Sequence, residues 1–73
     1  MPVVKVIELV GSSPMGLQNA VEEAVREASK TVRNLVGVDV LGWTGKIDGS
    51  KIVEYRANVK VSFLVDENRG LVE

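Results

Sequence analysis

The first 35 residues pass from a strand-like pattern of apolar positions to a helix-like one. Val3 to Val10 is a run of mostly β-branched residues, which predicts a strand. Gly11 to Pro14 is expected to end this strand and begin a helix. Ser13 would be the N-cap, because its hydroxyl can accept from an unpaired N–H of the first turn. Pro14 would be the first helical residue, where a missing N–H costs nothing.

A single apolar stripe predicts the helix that follows, from Pro14 to Leu35. Its members recur at spacings of three and four residues, as one face of a helix requires. Charged residues occupy the opposite face, which is expected to be solvated. The stripe consists of Leu17, Ala20, Val21, Ala24, Val25, Ala28, Val32 and Leu35.

Alternation replaces this helical spacing in the second half of the chain. Valines at alternate positions from Val36 predict a second strand, and the glycines flanking Trp43 predict a bulge or bend late in it. Asp48-Gly49-Ser50 is typical of a turn. Lys51 to Val65 then predicts a long antiparallel strand with one apolar face. That face consists of Val53, Tyr55, Ala57, Val59, Val61, Phe63 and Val65.

The resulting order, β-α-β-β, predicts an α+β fold of two layers. The helix connection makes the first two strands parallel to one another, and the last strand fits between them. We therefore expect a three-stranded sheet in the order 1-3-2, containing antiparallel pairs, with the long helix on one face. Residues 1–66 are expected to form a single domain, and residues 67–73 a C-terminal tail.

The predicted elements are long for a chain of 73 residues. The helix would measure ~33 Å and the last strand ~50 Å, whereas a compact globule of this length is ~29 Å across. Small cores also need additional stabilisation, and disulfides are excluded by the absence of Cys. The sequence therefore predicts a homo-oligomer.

Composition narrows the function. With 9 Lys+Arg against 10 Asp+Glu, the chain lacks the basic excess of a nucleic-acid or membrane-surface binder. Without Cys or His it lacks thiolate nucleophiles, the usual general base and the commonest metal ligands. The N-terminus does not have the pattern of a signal peptide, and no apolar run is long enough to span a bilayer. We expect a non-catalytic cytoplasmic protein.

Several segments in fixed order resemble the dodecins. They are Val6–Ser13, then Gly16, Ala20, Ala24 and Ala28, then Lys30–Leu35, and finally Glu54-Tyr55-Arg56, Val59-Lys60-Val61 and Phe63. The similarity extends from about Val3 to Glu67. It implies a small β-α-β-β protein that assembles with itself as a hollow homododecamer. It also implies a non-catalytic role in binding and storing flavin, either FMN or riboflavin.

The same resemblance locates candidate flavin-binding positions and shows where this chain differs. Flavin-binding dodecins stack a Trp on the flavin ring at the start of the second strand, and the corresponding residue here is Gly37, followed by Val38. A Gln that bonds the flavin's polar edge corresponds to Arg56, and an Arg late in the second strand corresponds to Thr44. The candidate cofactor-binding residues are Gly37, Val38, Asp39, Trp43 and Arg56.

Trp43 has two interpretations. In an unbulged strand it shares side-chain parity with Gly37, Asp39 and Leu41, so it could replace the missing aromatic ring in the space freed at Gly37. The alternative, which we favour, is a structural role in which Trp43 fills a contact between subunits, where Trp is enriched.

Arg56 and the carboxylates likewise have two interpretations. Arg56 could donate to a ligand carbonyl or phosphate, or form a salt bridge with Asp39, with Glu54 or with an acid of a neighbouring subunit. Some dodecin-like proteins without the Trp bind calcium, which makes calcium the alternative ligand. Calcium takes six to eight oxygens, so a site would be assembled across subunits, and its ligands are unknown. The available acids are Asp39, Asp48, Glu54, Asp66 and Glu67.

Overall fold

A computed structural model describes residues 3–65 of the chain. Its elements follow the predicted order. They are β1 (Val3–Ser13), α1 (Leu17–Ser29), β2 (Leu35–Asp48) and β3 (Lys51–Val65). The predicted tail at residues 67–73 lies outside the described residues, and so does the end of the predicted domain at residue 66.

The sheet has the predicted strand order, β1-β3-β2. β3 lies in the centre and is antiparallel to both neighbours, so β1 and β2 run parallel to one another. This placement pairs the longest strand of the described chain on both of its sides. It also confirms the α+β fold class, with one helix on a three-stranded sheet.

A two-residue turn joins β2 to β3, as Asp48-Gly49-Ser50 predicted. Asp48 pairs with Lys51 across the turn, and Gly49 takes φ 67°. A positive φ at the first central residue is typical of a type II′ turn, which matches the twist of the flanking strands. Gly is the residue that adopts this φ without steric cost.

The helix is shorter than predicted at both ends. It begins at Leu17, with Gly16 as the N-cap, and it ends at Ser29. Asn34 has φ 63°, a left-handed conformation that interrupts any helix continuing toward Leu35. The final turn closes earlier, where the N–H groups of Thr31 and Val32 donate to the Ala28 carbonyl at 3.2 and 2.9 Å.

The prediction that Ser13 caps the helix and Pro14 begins it was wrong. β1 continues to Ser13, which pairs with Tyr55. The Ser13 hydroxyl donates to Asn19 Oδ1 at 2.6 Å and accepts from the Met15 N–H at 2.9 Å, so it closes the connection between strand and helix. The strand therefore ends at Ser13, three residues later than predicted.

The core is a thin layer of small residues between α1 and the sheet. Three alanines of the helix stripe face the apolar side of β3, as the alternation predicted. Gly11 lets the helix approach β1 closely, because a Cβ at this position would overlap the Ala20 carbonyl oxygen. The fully or nearly buried apolar residues are Ala20, Ala24, Ala28, Ala57, Val59 and Val61.

The described chain is elongated. It measures 57 × 19 × 15 Å and has a radius of gyration of 15.4 Å, against ~11 Å for a compact chain of this length. The length comes from the sheet, as predicted for the last strand. The helix does not contribute, because its 13 residues measure only about 20 Å. The expectation that α1 would also project beyond the core was wrong.

Within residues 3–65, no helix combines the length and the apolar character that crossing a membrane requires.

Candidate ligand-binding face of the sheet

Within residues 3–65, the sheet has one side covered by α1 and one side without a helix. Ala57, Val59 and Val61 face α1, so the residues that alternate with them, and their partners on the outer strands, point away from it. We call this second surface the helix-free face. It is formed by Val6, Glu8, Val10 and Ser12 of β1, by Gly37, Asp39, Gly42 and Thr44 of β2, and by Glu54, Arg56, Asn58, Lys60 and Ser62 of β3.

A β-bulge at Leu41 determines which way the second half of β2 faces. Val40 pairs with Val59, whereas Gly42 pairs with Asn58, so Leu41 is the extra residue. The extra residue reverses the alternation beyond it. Trp43 is consequently opposite Ala57 and lies on the helix side of the sheet. The predicted bulge is confirmed, and its consequence is that the parity expected of an unbulged strand does not hold here.

Trp43 stacks on Tyr55 in the half of the sheet near the turn. The two ring centroids are 6.1 Å apart and the rings are inclined by 28°. About half of Trp43 is accessible, at 49% exposure. Because Gly37 lies on the helix-free face, Trp43 does not occupy the space beside it within one protomer. Either predicted role, in a ligand site or between subunits, would require a neighbouring copy.

The other candidates on β2 are divided between the two sides. Gly37 lies opposite Ser62, whose hydroxyl donates to the Gly37 carbonyl at 3.3 Å. Val38 lies on the helix side opposite Val61, where it remains exposed. Asp39 returns to the helix-free face opposite Lys60.

Arg56 lies at the centre of a polar cluster on the helix-free face. It pairs with Ser12 on β1 and with Thr44 on β2. Its guanidinium lies 3.5 Å from a carboxylate oxygen of Glu54, the neighbouring residue on the same face. Of the predicted intrachain salt bridges, this one with Glu54 is therefore present. Asp39 instead lies opposite Lys60.

Ser12 is a member of this cluster that the sequence did not reveal. Its hydroxyl donates to Glu54 at 2.6 Å. This hydrogen bond lowers the pKa of Glu54, and the positive charges of Arg56 and Lys46 lower it further, although partial desolvation opposes them. The net result is a pKa below the ordinary value, so Glu54 is ionised at neutral pH.

A shallow depression of ≈ 450 Å³ lies around the bulge. It falls between the pair Asp39–Lys60 and the pair Thr44–Arg56, at Gly42, which leaves open space where a side chain would project. The sequence signal for it was Gly42 beside the predicted bulge. Its lining consists of Glu8, Leu9, Val10, Leu41, Gly42, Asn58 and Val59.

Four of the positions singled out from the sequence thus share one surface: Gly37, Asp39, Thr44 and Arg56. This surface offers hydrogen-bond donors and acceptors beside a shallow space, an arrangement suited to holding a small molecule against the sheet. Within the described residues, no group of three or more Asp, Glu, His or Cys side chains is placed to hold a metal ion. Asp66 and Glu67, two of the predicted calcium-ligand candidates, lie outside those residues.

Comparisons with known proteins agree on one family. The family model described as Dodecin matches residues 3–66. A dodecin of Thermus thermophilus is 37% identical over 65 residues, which cover 89% of this chain and 94% of that protein. A crystal structure of a protein from the same organism has a TM-score of 0.86 at 35% identity, covering 90% of this chain and 97% of that one.

A second type of relative is described as a calcium dodecin. The crystal structure of the calcium-chelating calcium dodecin of Mycobacterium tuberculosis has a TM-score of 0.75 at 31% identity and covers 88% of this chain and 91% of that one. Both relatives match nearly the whole chain, so the fold and the sequence lead to the same assignment. The chain belongs to the dodecin family.

Proposed function

We propose that this protein is a non-catalytic binding protein that assembles from copies of itself into a homododecamer and holds a small ligand of the flavin class. Membership of the dodecin family supports this proposal. The observation that carries it is the position of Gly37, Asp39, Thr44 and Arg56 on one helix-free face.

Self-assembly is supported by the shape of the protomer. The described chain is 57 Å long but its helix has only 13 residues, so within residues 3–65 much of the helix side of the sheet is uncovered. Val38, Val40 and Trp43 lie on that side of β2 and are 45%, 48% and 49% exposed. Apolar surface of this extent on a small protein is typical of a contact with another protein, and further copies would bury it.

Flavin binding is supported by the chemistry of the helix-free face. Arg56 offers N–H donors to the carbonyl oxygens of a flavin's polar edge, and Thr44 and Ser12 flank it with hydroxyls. Val6 and Val10 provide apolar surface on the same face. Gly37 supplies no stacking ring, which costs about 1 kcal/mol of ring-stacking energy relative to an aromatic residue.

Titration with flavins tests the proposal. Riboflavin and FMN are added separately to protein whose assembly mass has been measured, and quenching of flavin fluorescence gives the affinity. We expect a dodecamer and binding at micromolar concentrations. If neither flavin binds at these concentrations, flavin storage is contradicted.

The variant Gly37→Trp tests the location of the site. A side chain at this position points onto the helix-free face, where its Cβ would lie 3.0 Å from the Ser62 hydroxyl, a group that can rotate. Restoring a ring should tighten flavin binding by about two- to tenfold, the worth of one aromatic pair. Gln18→Trp adds the same ring on the exposed helix surface and should leave the affinity unchanged.

Calcium binding is the second candidate, and the calcium-chelating relative favours it. A site would combine carboxylates of several copies, with Asp39, Asp48 and Glu54 available from the described residues. Calorimetric titration with calcium, with magnesium as the control, tests this directly. Calcium binding would support this candidate if the variant Asp39→Asn weakens it. If neither calcium nor magnesium gives a heat of binding, the candidate is contradicted.

A further inference from the structure

We infer that Glu54 is a positioning residue, which holds the Arg56 guanidinium over the helix-free face so that its other N–H groups meet acceptor atoms of the ligand. The inference rests on the proposed function, because it concerns how the flavin-class ligand is held. It adds Ser12 and Glu54, two residues that the family resemblance did not assign to the site.

Glu54 is held in place by a contact that does not involve Arg56. The Ser12 hydroxyl on β1 donates to one of its carboxylate oxygens at 2.6 Å, and the other oxygen lies 3.5 Å from the guanidinium. Ser12 on β1 and Glu54 on β3 belong to paired strands, and Ser12 lies directly opposite Arg56. The carboxylate of Glu54, on β3, is therefore linked to β1 by the Ser12 hydroxyl.

Arg56 keeps most of its bonding capacity for a ligand. A guanidinium has five N–H donors. Within residues 3–65, the polar contact of the Arg56 guanidinium is the one to Glu54, at 3.5 Å. Its side chain is 59% exposed, whereas that of Glu54 is 32% exposed. The Glu54 carboxylate therefore limits the conformations of the Arg56 side chain but leaves most of its N–H groups free to bind a ligand. Because the side chain is already restricted, less conformational entropy is lost when the ligand binds.

Charge favours the same arrangement. Glu54 is ionised at neutral pH, for the reasons given above, and lies between the positive charges of Arg56 and Lys46. An exposed ion pair of this kind contributes little to stability. Its expected effect is therefore on the orientation of Arg56 and on ligand affinity, with the fold left unchanged.

A double-mutant cycle tests the inference. Glu54→Gln keeps the shape and an acceptor for Ser12 but removes the charge, and Arg56→Met keeps the length of the side chain but removes its donors. We expect Glu54→Gln to weaken riboflavin binding by about two- to tenfold, the range of one hydrogen bond. In the Arg56→Met background the same change should have no effect, because Glu54 acts through Arg56.

A matched control is available on the helix. Glu23→Gln disrupts the exposed ion pair between Glu23 and Arg26, whose atoms are 2.7 Å apart, on the side of the sheet away from the proposed site. Riboflavin affinity, assembly mass and melting temperature should all remain those of the original protein. Glu54→Gln should likewise keep the assembly mass and the melting temperature, so that a change in affinity is not a folding defect.

The outcomes separate this inference from the proposed function. If the original protein binds riboflavin and Glu54→Gln binds it equally well, the positioning role is overturned and the function stands. A Glu54→Gln effect that is as large without Arg56 as with it also overturns the role. If the original protein binds no flavin, the proposed function and the inference fail together.

Discussion

Replacing Gly11 with Ala should force the helix away from the sheet. An added Cβ would lie 2.9 Å from the Ala24 Cβ and 3.1 Å from the Ala20 carbonyl carbon, and still closer to the Ala20 carbonyl oxygen. Carbon atoms in contact normally lie ~3.5–4.0 Å apart, so relief requires a helix movement of about 1 Å. The obstacle is largely backbone, which no change of rotamer can remove.

The free energy of unfolding should fall by about 2–3 kcal/mol. Overpacking costs roughly 1–3 kcal/mol, and a backbone obstacle belongs at the upper end, whereas the entropy lost by the unfolded chain returns about 0.4–1 kcal/mol. A domain of this size has roughly 4–11 kcal/mol in total. Thermal melting at fixed protomer concentration should therefore show a midpoint lowered by about 10 °C or more.

Gly42→Ala is the matched control for this prediction. Nothing lies within 4 Å of a Cβ built at Gly42, and its φ is not in the left-handed range. The same change of one methyl group should therefore alter the free energy of unfolding by less than about 1 kcal/mol. Equal melting midpoints for Gly11→Ala and Gly42→Ala would refute the reasoning, because α1 could then move away from β1 without cost.

Three further predictions concern the core, the turn and the cluster. Val59→Ala should lower the free energy of unfolding by about 2 kcal/mol in urea titration, because it removes two fully buried methyl groups. Gly49→Ala should lower it by about 1 kcal/mol in the same assay, because φ 67° strains a residue with a Cβ. The pKa of Glu54 is lowered on folding, with Arg56 and Lys46 facing it. The interaction of ionised Glu54 with Arg56 is therefore fully present above pH 4.5, the ordinary pKa of the group, and is lost as pH falls through the lowered pKa. The difference in riboflavin affinity between the original protein and Glu54→Gln should therefore be present at neutral pH and disappear in acid, where both side chains are neutral.

The sheet was predictable because β3 alternates regularly from Glu54 to Ser62; at Val53, which was predicted to lie on the same apolar face, the pairing with β2 is irregular. Ala57, Val59 and Val61 were assigned to one apolar face, and they are the buried residues of that strand. The same pattern placed β3 in the centre, since a strand buried on one face and paired on both edges needs the longest regular run. Local spacing was sufficient here because alternation alone determines which side of a strand is apolar.

The ends of the helix were not predictable from the same kind of pattern. Val32 and Leu35 fit the helical spacing, yet Leu35 belongs to β2, and the left-handed Asn34 lies just before it. A strand that begins with apolar residues continues a helical stripe by coincidence of spacing. At the other end, Ser13 has the chemistry of a cap, but pairing with β3 takes its backbone into β1.

The candidate site was predictable in part. Arg56 and Glu54 are two residues apart on one strand, so their contact follows from alternation alone. Ser12 joins them through the register between β1 and β3, which extends beyond the predicted end of β1. The side on which Trp43 lies depends on one unpaired residue, whose effect cannot be derived from counting positions.

That unpaired residue, Leu41, determines which side of the sheet the following β2 residues face, Trp43 among them. Deleting it would send the indole through the sheet to the opposite surface without altering any other amino acid. Two homologues can therefore have tryptophan in the same column of an alignment and present it to different environments. In this architecture, one residue more or less in the second strand therefore decides which surface receives the tryptophan.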